Sequence, residues 1–317
     1  MKKYLFTLLF VLFFYLSFSI CGFAQMTVIE SDSLVLVDIY QSTNGSGWIN
    51  TWKLDQKITT WNGVTVQNQR VVGLNFSRRN LTDSLPSSLG NLSELRSLNI
   101  SFNNLTGSLE MLTMLYKLKV FSMAGTKYKE SYGNVPSIFG QMRQLTYLDM
   151  SQNGFTAPIS DTTGFFLLTN LQELYINSNS FNGRMQNEFG EFKKLKTFNI
   201  SSCRFSGALP ASLTNLTILE EFYLASNTFD SDLGLIVSAM PNLRVLSAAS
   251  NKLGRNRVLP RLLYELSKLT YLDLSNNEYK LYISALISNL KNLQTLLLQN
   301  NKLFGNLPSS IGNLPKL

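Results

Sequence analysis

The sequence predicts an α/β fold: a right-handed solenoid shaped like a horseshoe, with a parallel β-sheet on its concave side and an N-terminal cap of helix and tryptophans. Apolar residues recur at a spacing near 24 residues, as from Leu195 to Leu219 and on to Leu243. Within each recurrence, apolar and polar residues alternate briefly, as in a β-strand with one buried face. A unit of this size cannot bury its own apolar face, so neighbouring units must stack.

Each unit opens with a segment of the form L-x-x-L-x-L-x-x-N-x-L, which is clearest from Leu95 to Leu105. This pattern is that of a leucine-rich repeat. We therefore expect about ten repeats over residues 70–317, the last followed by the truncated start of an eleventh. The residues that open a repeat are Val71, Leu95, Leu118, Leu145, Leu171, Leu195, Leu219, Leu243, Leu269 and Leu293, and Leu317 would open another.

A polar residue, usually Asn, follows each predicted strand where the chain must turn. An Asn amide both donates and accepts hydrogen bonds, so it can bridge backbone groups of its own coil and of the adjacent coil. Thr126 takes this position in one repeat, and Arg79 takes it in the first. Burying a guanidinium is costly, so we expect an irregular turn there that uses Asn80 instead. The predicted structural ladder consists of Asn103, Asn153, Asn179, Cys203, Asn227, Asn251, Asn277 and Asn301.

The second half of several repeats carries the pattern G-x-[IL]-P, as at residues 207–210 and 305–308. Together with the Ser-x-Gly-Asn-Leu segment at residues 310–314, this resembles the plant-specific class of leucine-rich repeat, which also occurs in bacterial secreted and surface proteins. The resemblance covers residues 70–317. It implies the solenoid fold and does not indicate a ligand.

Residues 1–24 are expected to form a secretory signal peptide. Lys2 and Lys3 precede an apolar run from Leu5 to Ile20, and small residues precede Gln25. A retained membrane anchor and a lipoprotein modified at Cys21 are the alternatives. No other stretch of the sequence is long enough to span a bilayer. The mature chain is therefore expected to be secreted or displayed at the cell surface, without membrane insertion.

Residues 25–69 differ in composition and are expected to cap the open N-terminal end of the solenoid. Residues 31–33 (Ser-Asp-Ser) offer an N-cap for a short helix, and all three tryptophans of the chain follow it: Trp48, Trp52 and Trp61. Residues 36–65 resemble the N-terminal cap of the same repeat class. Members of that class often carry a cysteine where this chain has Val66, so the resemblance does not extend to a disulfide. Sugar binding by the tryptophans is the alternative to capping.

Composition excludes several classes of function. The chain has no histidine, which removes Ser-His and Cys-His catalysis and histidine-ligated metal sites, and no metal site or cofactor is expected. The net charge of +8 includes no basic run that would indicate a nucleic-acid partner. Asp149 and Glu173 would suit a carbohydrate-active enzyme. However, an open sheet has no enclosed pocket to raise the pKa of one carboxyl group, which makes this a remote alternative.

Residues that alternate with the buried ones form the candidate ligand-binding site on the concave face. Tyrosine provides a large amphipathic contact area at low entropic cost. The predicted site residues are Tyr147, Asp149, Glu173, Tyr175, Asn199, Glu221, Tyr223, Tyr271 and Asp273. Because Thr-Tyr-Leu-Asp occurs at both 146–149 and 270–273, part of this set could instead be repeat filler.

These observations predict a non-catalytic recognition module that binds a protein or a glycan on its concave face. The alternative is the ligand-sensing ectodomain of a larger receptor. The sequence stops at Leu317, with no polar or helical lid after it. An apolar end of this kind is unfavourable in water. We therefore expect that the chain either continues in a longer protein or self-associates through this end.

Overall fold

The structure, a computed structural model, describes residues 28–126, 133–159, 164–254, 261–280 and 282–317. The predicted signal peptide and the inserted residues 127–132 lie outside these ranges. Within them, an eleven-stranded sheet follows the order of the sequence. Its strands are parallel except the first, which runs antiparallel to the second. The α/β repeat solenoid predicted from the sequence is confirmed.

The strands of the main sheet are short, because each coil gives the sheet only a few residues. They are β1 (Val64–Gln67), β2 (Arg70–Asn75), β4 (Ser97–Asn99), β6 (Val120–Ser122), β7 (Tyr147–Asp149), β8 (Glu173–Tyr175), β9 (Thr197–Asn199), β11 (Glu221–Tyr223), β13 (Val245–Ser247), β14 (Tyr271–Asp273) and β15 (Thr295–Leu297). Two further parallel pairs lie beside it: β3 (Thr82–Ser84) with β5 (Asn104–Thr106), and β10 (Ser206–Gly207) with β12 (Thr228–Phe229).

The return half of most coils is a 3-10 turn, and in one coil it is a short α-helix, α2 (Gly234–Ser238). Five of the 3-10 turns follow a proline directly in the sequence: Pro86, Pro136, Pro210, Pro260 and Pro308. Proline suits this place because its ring fixes φ and its missing N–H is not needed before a helical turn. The 3-10 turns are Ser87–Asn91, Glu110–Met114, Ser137–Gln141, Phe165–Leu167, Asn187–Glu191, Ala211–Asn215, Arg261–Glu265, Ala285–Asn289 and Ser309–Asn313.

The core is one continuous column of apolar side chains. Each of the ten residues predicted to open a repeat, from Val71 to Leu293, is inaccessible to solvent. A stack of phenylalanines runs beside them, with ring centroids about 6 Å apart from one coil to the next, formed by Phe155, Phe181, Phe205 and Phe229. Because each coil packs only on its neighbours, burial depends on stacking.

The asparagine at the end of each strand ties adjacent coils together. The side-chain nitrogen of Asn179 donates to the carbonyl of Met150 in the preceding coil (3.1 Å) and to that of Ile176 in its own coil (2.8 Å). Its oxygen accepts from the backbone N–H groups of Asn153 and Phe155, both at 3.1 Å. Equivalent bonds are made by Asn103, Asn153, Asn227, Asn251, Asn277 and Asn301.

Cys203 replaces one asparagine of this ladder and is fully buried. Its thiol donates to the carbonyl of Ile176 (3.1 Å) and approaches that of Ser201 (3.5 Å). A thiol is a weak donor and a weak acceptor, so it replaces only part of the bonding of an amide. Burial raises the pKa of Cys203 to about 12, which keeps the thiol protonated.

Arg79 occupies the ladder position of the first coil, contrary to our expectation that Asn80 would take it over. The backbone of Arg79 donates to Asn103 as in other coils, whereas the amide of Asn80 donates to Gly47 outside the ladder. Arg79 is only 6% exposed, and its guanidinium donates to Asn62. Burial lowers its pKa.

The cap consists of α1 (Glu30–Ser42), two 3-10 turns (Gly45–Gly47 and Ile58–Thr60) and β1. Our N-cap expectation is wrong: α1 begins after Ile29, with no side-chain cap. Asp32 is instead 1% exposed, where it accepts two bonds from Arg70 (3.1 Å each) and one from the N–H of Val71 (2.8 Å). This ion pair fastens the helix to the first coil.

The three tryptophans of the cap are buried, which leaves no indole face open for stacking on a sugar. Trp52 stacks on Trp61 with ring centroids 4.6 Å apart, and Trp48 meets Trp52 edge-on at 4.9 Å. Each indole N–H donates to a backbone carbonyl within the cap. The geometry favours capping over the sugar-binding alternative.

At the other end of the described structure, several apolar side chains are exposed: Leu303, Phe304, Leu307 and Leu317. Self-association through this surface stays a prediction. Among the described residues, no helix combines the length and the apolar composition required to cross a bilayer.

We expect Cys203→Asn to be neutral or to raise the free energy of unfolding slightly, because an amide restores the donors and the acceptor of the ladder. Cys203→Asp should be less stable, because it buries a charge and brings no donor. Urea denaturation of the three proteins measures this order. A more stable Asp variant would contradict the role assigned to this position.

Tyr279 is 1% exposed, and its hydroxyl has no hydrogen-bond partner in the part of the chain that the structure describes. Burying such a group costs about 1–3 kcal/mol. We therefore expect Tyr279→Phe to raise the free energy of unfolding by roughly 1 kcal/mol, measured by the same method. Tyr264→Phe, another buried tyrosine, is the control. A loss of stability in Tyr279→Phe would show that the hydroxyl is bonded.

Candidate ligand-binding surface

Two rows of outward-facing side chains cross the middle of the sheet, one residue per coil in each row. The first row contains Tyr147, Glu173, Thr197, Glu221, Val245 and Tyr271. The second row contains Asp149, Tyr175, Asn199, Tyr223, Ser247 and Asp273. Neighbours within a row are separated by the spacing of adjacent strands, about 4.8 Å. All nine predicted site residues lie in these two rows.

Two glutamate–tyrosine pairs repeat on β8 and β11. The hydroxyl of Tyr175 donates to Glu173 at 3.0 Å, and that of Tyr223 donates to Glu221 at 2.9 Å. Each hydroxyl bonds one carboxylate oxygen, Oε2; the other, Oε1, has no hydrogen-bond partner within the described ranges. The two pairs are therefore alike in geometry and both have an acceptor available.

The coil between the pairs presents smaller side chains. Thr197 lies between Glu173 and Glu221, and Asn199 lies between Tyr175 and Tyr223. The pairs are thus two coils apart, or about 10 Å. These smaller side chains are thus bordered on each side by a ring and a carboxylate.

Burial and negative charge together keep these phenols protonated. Burial, with a smaller effect of Asp149 and Glu173, raises the pKa of Tyr147 to about 12. Burial and the hydrogen bond to Glu221 raise the pKa of Tyr223 to about 12. The pKa of Tyr175 rises for the same reasons, with Glu173 as its partner. At neutral pH the surface therefore combines neutral phenol donors with negative charge.

Tyr147 packs against Tyr175 with ring centroids 5.6 Å apart and joins the first pair. Tyr271 and Asp273 lie on β14, two coils from the second pair. On this strand the tyrosine precedes the acid, and the acid accepts bonds from Ser275. We call the residues that form or contact the two glutamate–tyrosine pairs the tyrosine–glutamate patch: Tyr147, Glu173, Tyr175, Glu221 and Tyr223.

The aspartates of the predicted set hold their own turns. Asp149 accepts from the N–H (3.0 Å) and the hydroxyl (2.7 Å) of Ser151, and Asp273 accepts equivalent bonds from Ser275 (3.0 and 2.6 Å). Asn199 accepts from the N–H of Ser201 at 3.0 Å. In the sequence, a serine follows each of these three residues by two positions, and this spacing between an Asp or Asn and the backbone N–H that it accepts is that of an Asx turn.

The carboxylates considered for catalysis do not face one another. Asp149 pairs in register with Tyr175, and Glu173 pairs with Tyr147, so the two acids lie in different rows. Asp149 is also engaged by Ser151. In the described part of the chain, no group of three or more Cys, Asp or Glu residues could hold a metal ion.

A cavity of about 250 Å³ lies at the N-terminal edge of the sheet, lined by Gln67, Asn68, Arg70, Val72, Glu94 and Arg96. Sequence reasoning missed it. Its charged groups already have partners: Arg70 is bonded to Asp32, Glu94 to Lys117 (2.6 Å) and Arg96 to Gln67 (3.3 Å). It is a weaker candidate than the patch because a ligand would have to break these bonds.

Comparison with known proteins supports the repeat class. The family described as Leucine Rich Repeat matches residues 94–114, 194–216 and 292–314. Receptor-like protein 41 of Arabidopsis thaliana is 33% identical over 153 residues, which are 48% of this chain and 14% of that protein. This chain therefore spans only a small part of the length of that relative.

Solved structures share the fold. The ectodomain of the Arabidopsis receptor kinase HAESA, in complex with an N-terminally extended IDA peptide hormone, is 29% identical with a TM-score of 0.66, covering 90% of this chain and 44% of that one. A plant ice-binding protein is 23% identical with a TM-score of 0.72, covering 89% and 90% of the two chains. At that identity the second likeness concerns the fold alone.

We expect Asp149→Ala and Asp273→Ala each to lower the free energy of unfolding by about 1 kcal/mol, because each leaves a turn N–H without its acceptor. Asp149→Asn should be nearly neutral, since Asn199 makes the same bond. Glu173→Ala, which holds no turn, is the control and should also be nearly neutral. Urea denaturation measures these changes. Equal losses of unfolding free energy in Glu173→Ala and Asp149→Ala would contradict the conclusion that Asp149 stabilises its turn and Glu173 does not.

Proposed function

We propose that this chain, which carries leucine-rich repeats similar to those of the plant-specific class, is an extracellular recognition module that binds an extended segment of a protein across the tyrosine–glutamate patch. The observation that carries this proposal is the pair of matched glutamate–tyrosine sites on β8 and β11. Their rings are half-buried and firmly placed, so little conformational entropy is lost on binding. Aromatic anchors with adjacent charge are typical of binding hot spots.

A protein segment is favoured over a glycan by the comparisons as well as by charge. The HAESA ectodomain is described in complex with a peptide hormone. The patch carries two carboxylates with available oxygens, whereas the indoles considered for stacking on a sugar are buried in the cap. Carboxylates attract cationic side chains over a distance and set the orientation of a partner.

We propose that the module is not catalytic. The chain lacks histidine, and the two acids considered for glycoside hydrolysis lie in different rows. The open sheet provides no enclosed site for a carboxyl group that must stay protonated. Loss of a glycan-hydrolysing activity in Glu173→Gln would contradict this.

The ligand-sensing ectodomain of a larger receptor is the second candidate function. It is favoured by the similarity to Receptor-like protein 41 and to the HAESA ectodomain, both longer than this chain. The test is the sequence of the full gene: an apolar stretch of about 20 residues downstream would favour the receptor. A stop codon after a few further repeats would favour a secreted module.

We expect the double variant Tyr175→Ala, Tyr223→Ala to weaken binding of the natural partner by about 2 kcal/mol or more. Its melting temperature should hardly change, because neither ring belongs to the core. The partner is isolated by pull-down with the purified chain, and affinity is measured by calorimetry.

Tyr116→Ala is the matched control for this experiment. Tyr116 is 79% exposed and lies between a 3-10 turn and β6, outside the two rows. The Tyr116→Ala variant should bind the partner with unchanged affinity. Unchanged affinity in the double tyrosine variant would remove the patch as the site and leave the fold assignment intact.

A further inference from the structure

The spacing of the two glutamate–tyrosine pairs restricts the conformation of a bound chain. The pairs lie two coils apart, or about 9.6 Å by strand spacing. A peptide that binds both pairs with two like side chains must present those side chains on one face, about 9.6 Å apart. In a β-strand, side chains on one face recur about every 6.6 Å, which does not match.

A polyproline II segment does match this spacing. It has three residues per turn and rises about 3.1 Å per residue, so positions i and i+3 share a face about 9.3 Å apart. An α-helix brings i and i+7 together at about 10.5 Å, but its carbonyls are already bonded within the helix. A polyproline II backbone has no internal hydrogen bonds, and its carbonyls need donors from elsewhere.

Asn199 provides such a donor midway between the pairs. Its side-chain oxygen accepts a hydrogen bond from the N–H of Ser201, but its side-chain nitrogen has no hydrogen-bond partner among the described residues. A backbone carbonyl between positions i and i+3 would pass over this nitrogen. Thr197, the other residue of this coil in the rows, is only 9% exposed and leaves room for the chain.

The chemistry of the pairs identifies the side chains at i and i+3. Each pair presents a carboxylate oxygen without a partner in the described structure, beside the face and edge of a tyrosine ring. Arginine and lysine suit such a site, since they bind carboxylates and also pack over aromatic rings. We propose that the patch binds a polyproline II segment with basic residues three positions apart. This inference rests on the proposed function and specifies its ligand.

The experiment uses three synthetic peptides of identical composition, each with two arginines in a proline background. The arginines are separated by one, two or three prolines. We expect the i,i+3 peptide to bind the described chain at least about tenfold tighter than the other two in fluorescence anisotropy at low salt. The same composition in all three peptides keeps their net charge constant.

The double variant Glu173→Gln, Glu221→Gln should remove the preference for the i,i+3 peptide. Its matched control is Glu188→Gln, Glu191→Gln, which changes the charge equally but lies on the 3-10 turn Asn187–Glu191. The control should keep the preference. Circular dichroism confirms that both variants are folded.

Equal affinity for the three peptides, no binding of any, or a preference that survives in Glu173→Gln, Glu221→Gln would each overturn the inference. The proposed function is judged separately by the natural partner. If that partner depends on Tyr175 and Tyr223 while the peptides fail, the site stands and the polyproline ligand is wrong. If the partner is indifferent to both tyrosines, the proposed function fails as well.

Discussion

Each coil turns inward directly after its strand, and the backbone groups of that turn are buried where water cannot reach them. The residue before the ladder position has a positive φ in nearly every described coil, between 54° and 58° at Arg78, Phe102, Ser202 and Asn300 among others. This conformation is unfavourable for L-residues. It persists because the next residue, usually asparagine, bonds carbonyl and N–H groups on both sides of the coil junction.

The ladder also determines the spacing of the side chains on the outer surface of the sheet. By holding every coil in the same register, it places one residue per coil in each row, so the sheet face has a constant step of about 4.8 Å. Outward side chains are then free to vary without changing the backbone. Some still serve the fold, as Asp149 does through Ser151, and others, such as Glu173, bond only a neighbouring tyrosine. Acids in adjacent coils can therefore differ in role although the sequence pattern treats them alike.

The period and the alternation of apolar residues were sufficient to predict the fold and the rows, because both depend on local spacing. The interactions that sequence reasoning missed join residues far apart in the chain. From its place in the sequence Asp32 is expected to help cap the helix, but in the fold it accepts a hydrogen bond from Arg70. The sequence suggests that Arg79 is too costly to bury, but in the fold its guanidinium donates to Asn62, and only Nη1 has no partner among the described residues. Likewise, the sequence pattern does not show that Tyr175 and Tyr223 bond glutamates, whereas the acid on the strand of Tyr271 is bonded by Ser275.

The middle of the patch lies over an irregular position of the ladder. Thr197 and Asn199 belong to the same coil as Cys203, whose thiol makes fewer and weaker hydrogen bonds than Asn179 and Asn227 on either side. In a solenoid, cohesion comes from contacts between neighbouring coils, so a weak rung affects the junctions on both of its sides. A ligand held by Glu173 and Glu221 would bridge those same junctions from outside. Binding energy gained there adds to the stability of the folded chain by mass action, so recognition and cohesion are coupled at this coil.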